Sequence, residues 1–231
     1  MGRNQAAGAS RSERHRFHNG IDLLREGISG GLLVREDPAG RRRQPVRLQA
    51  DLRAGELRSR TSKLIALVGL PGSGKSSVGR QLARRLRLTF IDADAEIENR
   101  TGVDIAYIFE REGEQGFRAR EKDLLDELSQ RRGVVIATGG GAVLDAETRA
   151  RLRERGRVVY LRASIEQQLA RTRHGTHRPL LNNADPRGTL ERLMAVRAPL
   201  YEEIAEIVAN TDGRKVNTVV EDVLRQMHGP G

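Results

Sequence analysis

The sequence predicts a three-layer α/β/α sandwich around a parallel sheet of about five strands, preceded by a mostly disordered N-terminal extension. Three observations lead there. From Leu64 onward, short apolar runs alternate with amphipathic helical stretches, and strands separated by helices pair in parallel through right-handed crossovers. The first apolar run leads directly into Gly69-Leu70-Pro71-Gly72-Ser73-Gly74-Lys75-Ser76, which matches G-x-x-x-x-G-K-[ST]. Before position 63 the alternation is missing, and Arg, Gly and Ser dominate.

Residues 1–62 read as a basic extension and 63–231 as the folded domain. Of the net charge of +10, residues 1–63 hold 14 basic and 7 acidic side chains, whereas 64–231 hold 27 and 24. The domain is therefore nearly balanced, and no nucleic-acid-binding face is expected on it. Only 21–34 is dense in apolar residues, and Gly27, Gly30 and Gly31 interrupt it. A solvated tail, an incorrectly assigned start, a transit peptide and a tethering arm all remain open for this segment. A helix-turn-helix would need two or three amphipathic helices, which are not apparent.

Within the domain, 64–68 is a buried strand and 75–86 a helix with Val78, Leu82 and Leu86 on one face. A strand follows over 88–91, then helices over 93–100, 104–111 and 117–130. The strand at 134–137 ends in Thr138 and three glycines. A helix over 145–155, a strand over 158–161 and a helix over 164–172 come next. The polar stretch 173–185 leads to a helix over 186–204, a short strand near 206–209 and a last helix over 216–227. Ligands of open parallel sheets bind beyond the carboxyl ends of the strands. That rule selects the glycine loop, Asp92 with Asp94, and Gly139, Gly140 and Gly141 as the walls of one cleft.

The glycine loop has the strand before it and the helix after it that a phosphate-binding P-loop requires. Its N–H groups and the helix N-terminus attract phosphate; Lys75 reaches the outer phosphates and the Ser76 hydroxyl can ligate Mg²⁺. The chain has only 4 Lys against 37 Arg, so a compact ammonium at 75 is a notable exception. Asp92 and Asp94 would share one face of an extended segment. One could hold Mg²⁺ through water and the other accept a hydroxyl proton, or both could simply cap the following helix. The three glycines remove every Cβ from one wall, which suits a substrate carboxylate, although glycine clusters also punctuate ordinary turns. Arg118, Arg178 and Arg197 carry the guanidinium best matched to carboxylate and phosphate, yet each could be an ordinary surface arginine.

There is no Cys, which excludes disulfides and thiol chemistry and fits a reducing cytoplasm. No apolar run reaches the length of about 18 residues needed to span a membrane, and no secretory signal is evident.

Six segments together resemble the shikimate kinases: the P-loop, 91–97, 116–121, 137–141, 178–181 and 197–201. The resemblance covers essentially all of 64–228. It implies transfer of phosphate from ATP, with Mg²⁺, to the 3-hydroxyl of shikimate by a monomeric cytoplasmic enzyme of P-loop kinase type. It further implies that Gly72, Ser73, Gly74, Lys75, Ser76 and Ser77 hold the phosphates. Ser76 and Asp92 would serve the metal, and Asp94 would orient the acceptor hydroxyl. Arg118, Arg197 and Gly139, Gly140 and Gly141 would clamp the acceptor. Arg178 would approach the transferred group from a lid at 173–185, and Arg171 would lie beside adenine. Arg214 is a weaker adenine candidate, because the downstream Pro of some members is missing. Lys75 and Arg178 would join Asp94 in the catalytic set. Two rivals remain: a kinase of the same fold for gluconate or a nucleoside monophosphate, and a nucleotide-sensing regulator whose basic tail binds nucleic acid.

Overall fold

The structure is a computed structural model that describes residues 64–173 and 184–228. The extension, Arg178 and most of the expected lid lie outside the described residues. Five parallel strands, β1 (Leu64–Val68), β2 (Thr89–Asp92), β3 (Val134–Ala137), β4 (Gly156–Arg162) and β5 (Ile207–Asn210), stand in the order β2-β3-β1-β4-β5. Between and after them run α1 (Lys75–Leu86), α2 (Ala93–Thr101), α3 (Ile105–Ser129), α4 (Ala146–Arg155), α5 (Ile165–Thr172), α6 (Pro186–Ile204) and α7 (Val216–His228). A 3₁₀ turn, Ala142–Leu144, follows the glycines.

The middle strand explains the layering. Every residue of β1 is buried, as expected when helices cover both faces of a parallel sheet. Leu64, Ala66 and Val68 point to one side, where Ile97, Leu125, Leu152 and Ile204 bring in α2, α3, α4 and α6. Ile65 and Leu67 point to the other, against Val78 and Leu82 of α1 and Val220 and Val223 of α7. At the edge, β5 buries only alternate residues, Ile207 and Ala209.

Three expectations shift, each for a physical reason. The strand expected at 88–91 begins at Thr89, because Arg87 adopts a left-handed conformation and caps α1. The Leu88 N–H then donates to Ala83 O at 2.9 Å, which keeps it in the helix end. The helices expected over 104–111 and 117–130 form one long element with non-helical backbone at Gly113, so the break is a kink and not a loop. The strand expected at 158–161 starts earlier, since Leu64 and Ile65 pair with Gly156 and Arg157 and draw these two unremarkable residues into the ladder.

Candidate active site

The P-loop joins the end of β1 to α1, and helix packing dictates its shape. Gly72 has φ +81°, and a Cβ there would lie 2.9 Å from the Gln168 carbonyl of α5. Only glycine tolerates both the left-handed backbone and that approach. Lys75 turns back over the loop, donating to the carbonyls of Gly69 at 2.7 Å and Leu70 at 3.1 Å. Ser73 is buried; its neighbour Gly74 caps α1, and Ser77 lies exposed in the helix's first turn.

The Ser76 hydroxyl donates to Asp92 Oδ2 at 2.6 Å. Asp92 occupies the N-cap position of α2 but makes no side-chain cap bond, so the capping alternative fails for it. Its carboxylate faces the P-loop instead. Asp94 departs from the extended geometry expected from sequence: the helix starts at Ala93, and Asp94 sits in its first turn, half-buried. Both carboxylates nevertheless line one cleft with Lys75, Ser76, Arg118 and Arg197.

The far wall of that cleft is the glycine turn after β3. Thr138 fixes its start, with both its N–H and its hydroxyl on Leu67 O at 3.1 Å. A Cβ at Gly139 would overlap Glu121 Oε1 and lie 2.9 Å from Asp94 Oδ1, and one at Gly141 would overlap the Arg118 guanidinium. Gly139 and Gly141 thus leave room for the ends of charged side chains that a Cβ would displace.

Arg118 extends from α3 onto Glu121 at 2.6 Å and Glu114 at 3.0 Å. Burial pulls its guanidinium pKa down, but these two carboxylates outweigh that and leave it raised. Glu121 is only 2% exposed; its Oε1 has no hydrogen-bond partner among the described residues. Burial raises its pKa, and Arg118 opposes that rise. Arg197 of α6 is 4% exposed. Burial lowers its pKa, and the nearby charge of Arg118 adds to the lowering. A half-buried guanidinium, Arg118, and a buried one, Arg197, beside backbone N–H groups make a receptacle for a carboxylate.

At the other end, Arg171 ties three segments together. It donates to Gly72 O at 3.2 Å, Thr211 Oγ1 at 3.0 Å and Thr211 O at 2.7 Å. Arg214 does not reach this cluster's bonds; it folds onto Asn210 O and Asp222 at 3.1 and 3.0 Å. Two side chains escaped the residue-by-residue reading: Glu121 and Tyr201. Glu121 is three residues after Arg118 and Tyr201 four after Arg197, helical spacings that would have flagged them as partners.

A family profile described as shikimate kinase matches residues 71–228. A shikimate kinase of Francisella tularensis subsp. holarctica is 53% identical over 163 residues, covering 70% of this chain and 93% of that one. One from Pseudomonas syringae pv. tomato is 54% identical over 163 residues, covering 71% and 95%. Among solved structures, a shikimate kinase from Acinetobacter baumannii in complex with shikimate superposes with a TM-score of 0.70 at 45% identity, covering 71% of this chain and 92% of that one. That from Aquifex aeolicus gives 0.63 at 35% identity, covering 72% and 96%. A profile match over 71–228 and relatives above 50% identity along nearly their whole length show that this chain belongs to the shikimate kinase family.

Proposed function

We propose that this protein transfers the γ-phosphoryl group of ATP to the 3-hydroxyl of shikimate, giving shikimate 3-phosphate and ADP. The observation that carries this is the single cleft that joins the P-loop to Asp94, Arg118, Arg197 and the glycine turn. The acceptor's carboxylate fits between Arg118, Arg197 and the glycine N–H groups, because bidentate guanidinium contacts favour it there. That anchoring brings a ring hydroxyl to Asp94, which orients it and takes its proton as the O–P bond forms.

The residues fit a bound metal. Ser76 and Asp92 place two hard oxygens 2.6 Å apart beside Lys75, the donor type Mg²⁺ prefers. When bound, Mg²⁺ would neutralise charge on the phosphates. Lys75 and the N–H groups of 72–77 hold the outer phosphates, Arg178 meets the transferred group, and Arg171 flanks the base with Arg214 as a secondary neighbour. Separating reactants from water keeps hydrolysis from competing. We place the enzyme in the cytoplasm as a monomer; among the described residues no helix is long and apolar enough to cross a membrane.

The test is ADP formation by the purified chain with Mg²⁺ and ATP, comparing shikimate, gluconate, a nucleoside monophosphate and no acceptor. Turnover with shikimate alone is expected. Preference for another acceptor would overturn the substrate, and turnover with none would overturn the kinase activity.

A further inference from the structure

Tyr201 is the fourth residue after Arg197 on α6 and is fully buried, at 0% exposure. Its ring stacks on Tyr160 of β4, with centroids 5.0 Å apart and planes at 29°. Packing alone would be served by Phe, since a buried hydroxyl is unfavourable unless hydrogen-bonded. This hydroxyl is bonded: it donates to the Gly140 carbonyl at 2.5 Å, and the charge of the Arg197 guanidinium, one helical turn away, acts on it.

We propose that Tyr201 is a positioning residue for the acceptor: its hydroxyl holds the glycine turn beside Arg197, so that turn N–H groups and guanidinium face the cleft in one geometry. This rests on the acceptor-binding role given above to Arg197 and Gly139, Gly140 and Gly141. The nearby guanidinium charge polarises the hydroxyl and strengthens the bond it donates to the Gly140 carbonyl. The direction also matters. By engaging the Gly140 carbonyl from the α6 side, Tyr201 fixes the orientation of the peptide plane that carries the N–H of Gly141. Pro199 lies within α6 between the two residues and supplies no N–H to the helix, so the backbone there is short of one hydrogen bond. Gly140 and Tyr201 are 61 positions apart, so the tie also joins α6 to the end of β3 across the cleft wall.

The experiment is Tyr201→Phe in the full chain, with kcat and KM measured separately for shikimate and ATP, beside Tyr160→Phe as a control that trims the stacked neighbour. Loss of this bonded hydroxyl should raise the shikimate KM about tenfold, the scale of one hydrogen bond to a charged network. The ATP KM should stay within about twofold, and the control should leave both within about twofold, because neither change touches the P-loop. Phe keeps the ring and the stacking, and melting temperatures recorded alongside separate stability from binding; a strongly destabilised variant is assayed at a temperature where it is folded. A shikimate KM within about twofold of the parent overturns the proposal, whatever happens to stability, since a purely structural tyrosine would behave that way. A parent chain that neither binds nor turns over shikimate overturns the functional assignment first, and the parent's own result identifies that case.

Discussion

At the residue scale, the chemistry of the site is set by what each carboxylate faces. Asp92 holds a helix N-cap position yet bonds Ser76, a choice that gives the P-loop hydroxyl its acceptor. Asp94, two residues later, faces the glycine turn instead. Asp94→Asn is expected to leave ATP binding intact while turnover falls by roughly 10²-fold or more, the scale of general-base contributions. Isothermal titration and steady-state rates measure the two effects, and an unchanged rate would remove Asp94 from the mechanism. Gly139→Ala should abolish acceptor binding, because the added methyl meets Glu121 and Asp94 at once. Wild-type shikimate affinity in that variant would refute the close approach.

Glu121 provides a pH-dependent readout of the same wall. Burial holds its carboxyl above the ordinary value near 4.5, with Arg118 partly opposing. A carboxyl raised in the folded state binds its proton more tightly when folded, so the stability it contributes is full below about pH 4.5 and declines as pH rises through the folded value. Gln does not titrate. The melting temperature of the parent relative to Glu121→Gln should therefore fall as pH is raised from 4 to 8. Parallel curves would show that Glu121 does not change protonation in this window.

At the scale of elements, backbone exceptions mark where helices stop. Arg87 is the sole described non-glycine residue with positive φ, at +57°, and it ends α1. Left-handed backbone is unfavourable for a residue with a Cβ, so Arg87→Gly should stabilise the domain by roughly 0.5–1 kcal/mol. Urea unfolding checks this, and a lower midpoint would mean that the arginine side chain contributes more than its backbone strain removes. The kink at Gly113 has the opposite function of continuing a helix while turning it. It separates Ile105 and Phe109, which line the cleft from the first half of α3, from Arg118 and Glu121 in the second. Helical periodicity revealed both halves in the sequence. Their fusion was not legible there, because periodicity reports which face is apolar and not whether the axis bends.

At the scale of the molecule, every strand runs the same way, so the loops that follow β1, β2 and β3 gather at one end of the sheet. The family profile begins only at residue 71. A chain starting at residue 63 is expected to keep kcat/KM for shikimate within about twofold, since the residues lining the cleft lie between Pro71 and Arg197. A large loss on truncation would assign the extension a role in catalysis.

By itself the sequence determined the order of strands and helices along the chain, the glycine loop and many of the residues that line the cleft. Those signals are local: apolar periodicity and short motifs act within a few positions of the chain. Only the tertiary structure decided that Asp92 pairs with Ser76, that Glu121 is a buried partner of Arg118, that Arg171 joins Gly72 to Thr211, and that Tyr201 reaches Gly140. Most of these contacts span 16 to 99 positions. Even Glu121, three residues from its partner, depends on long-range packing, because it is the glycine turn of β3 that buries it. Burial changes the energy of a charge or hydroxyl by more than local sequence does, and burial is a property of the whole packed chain.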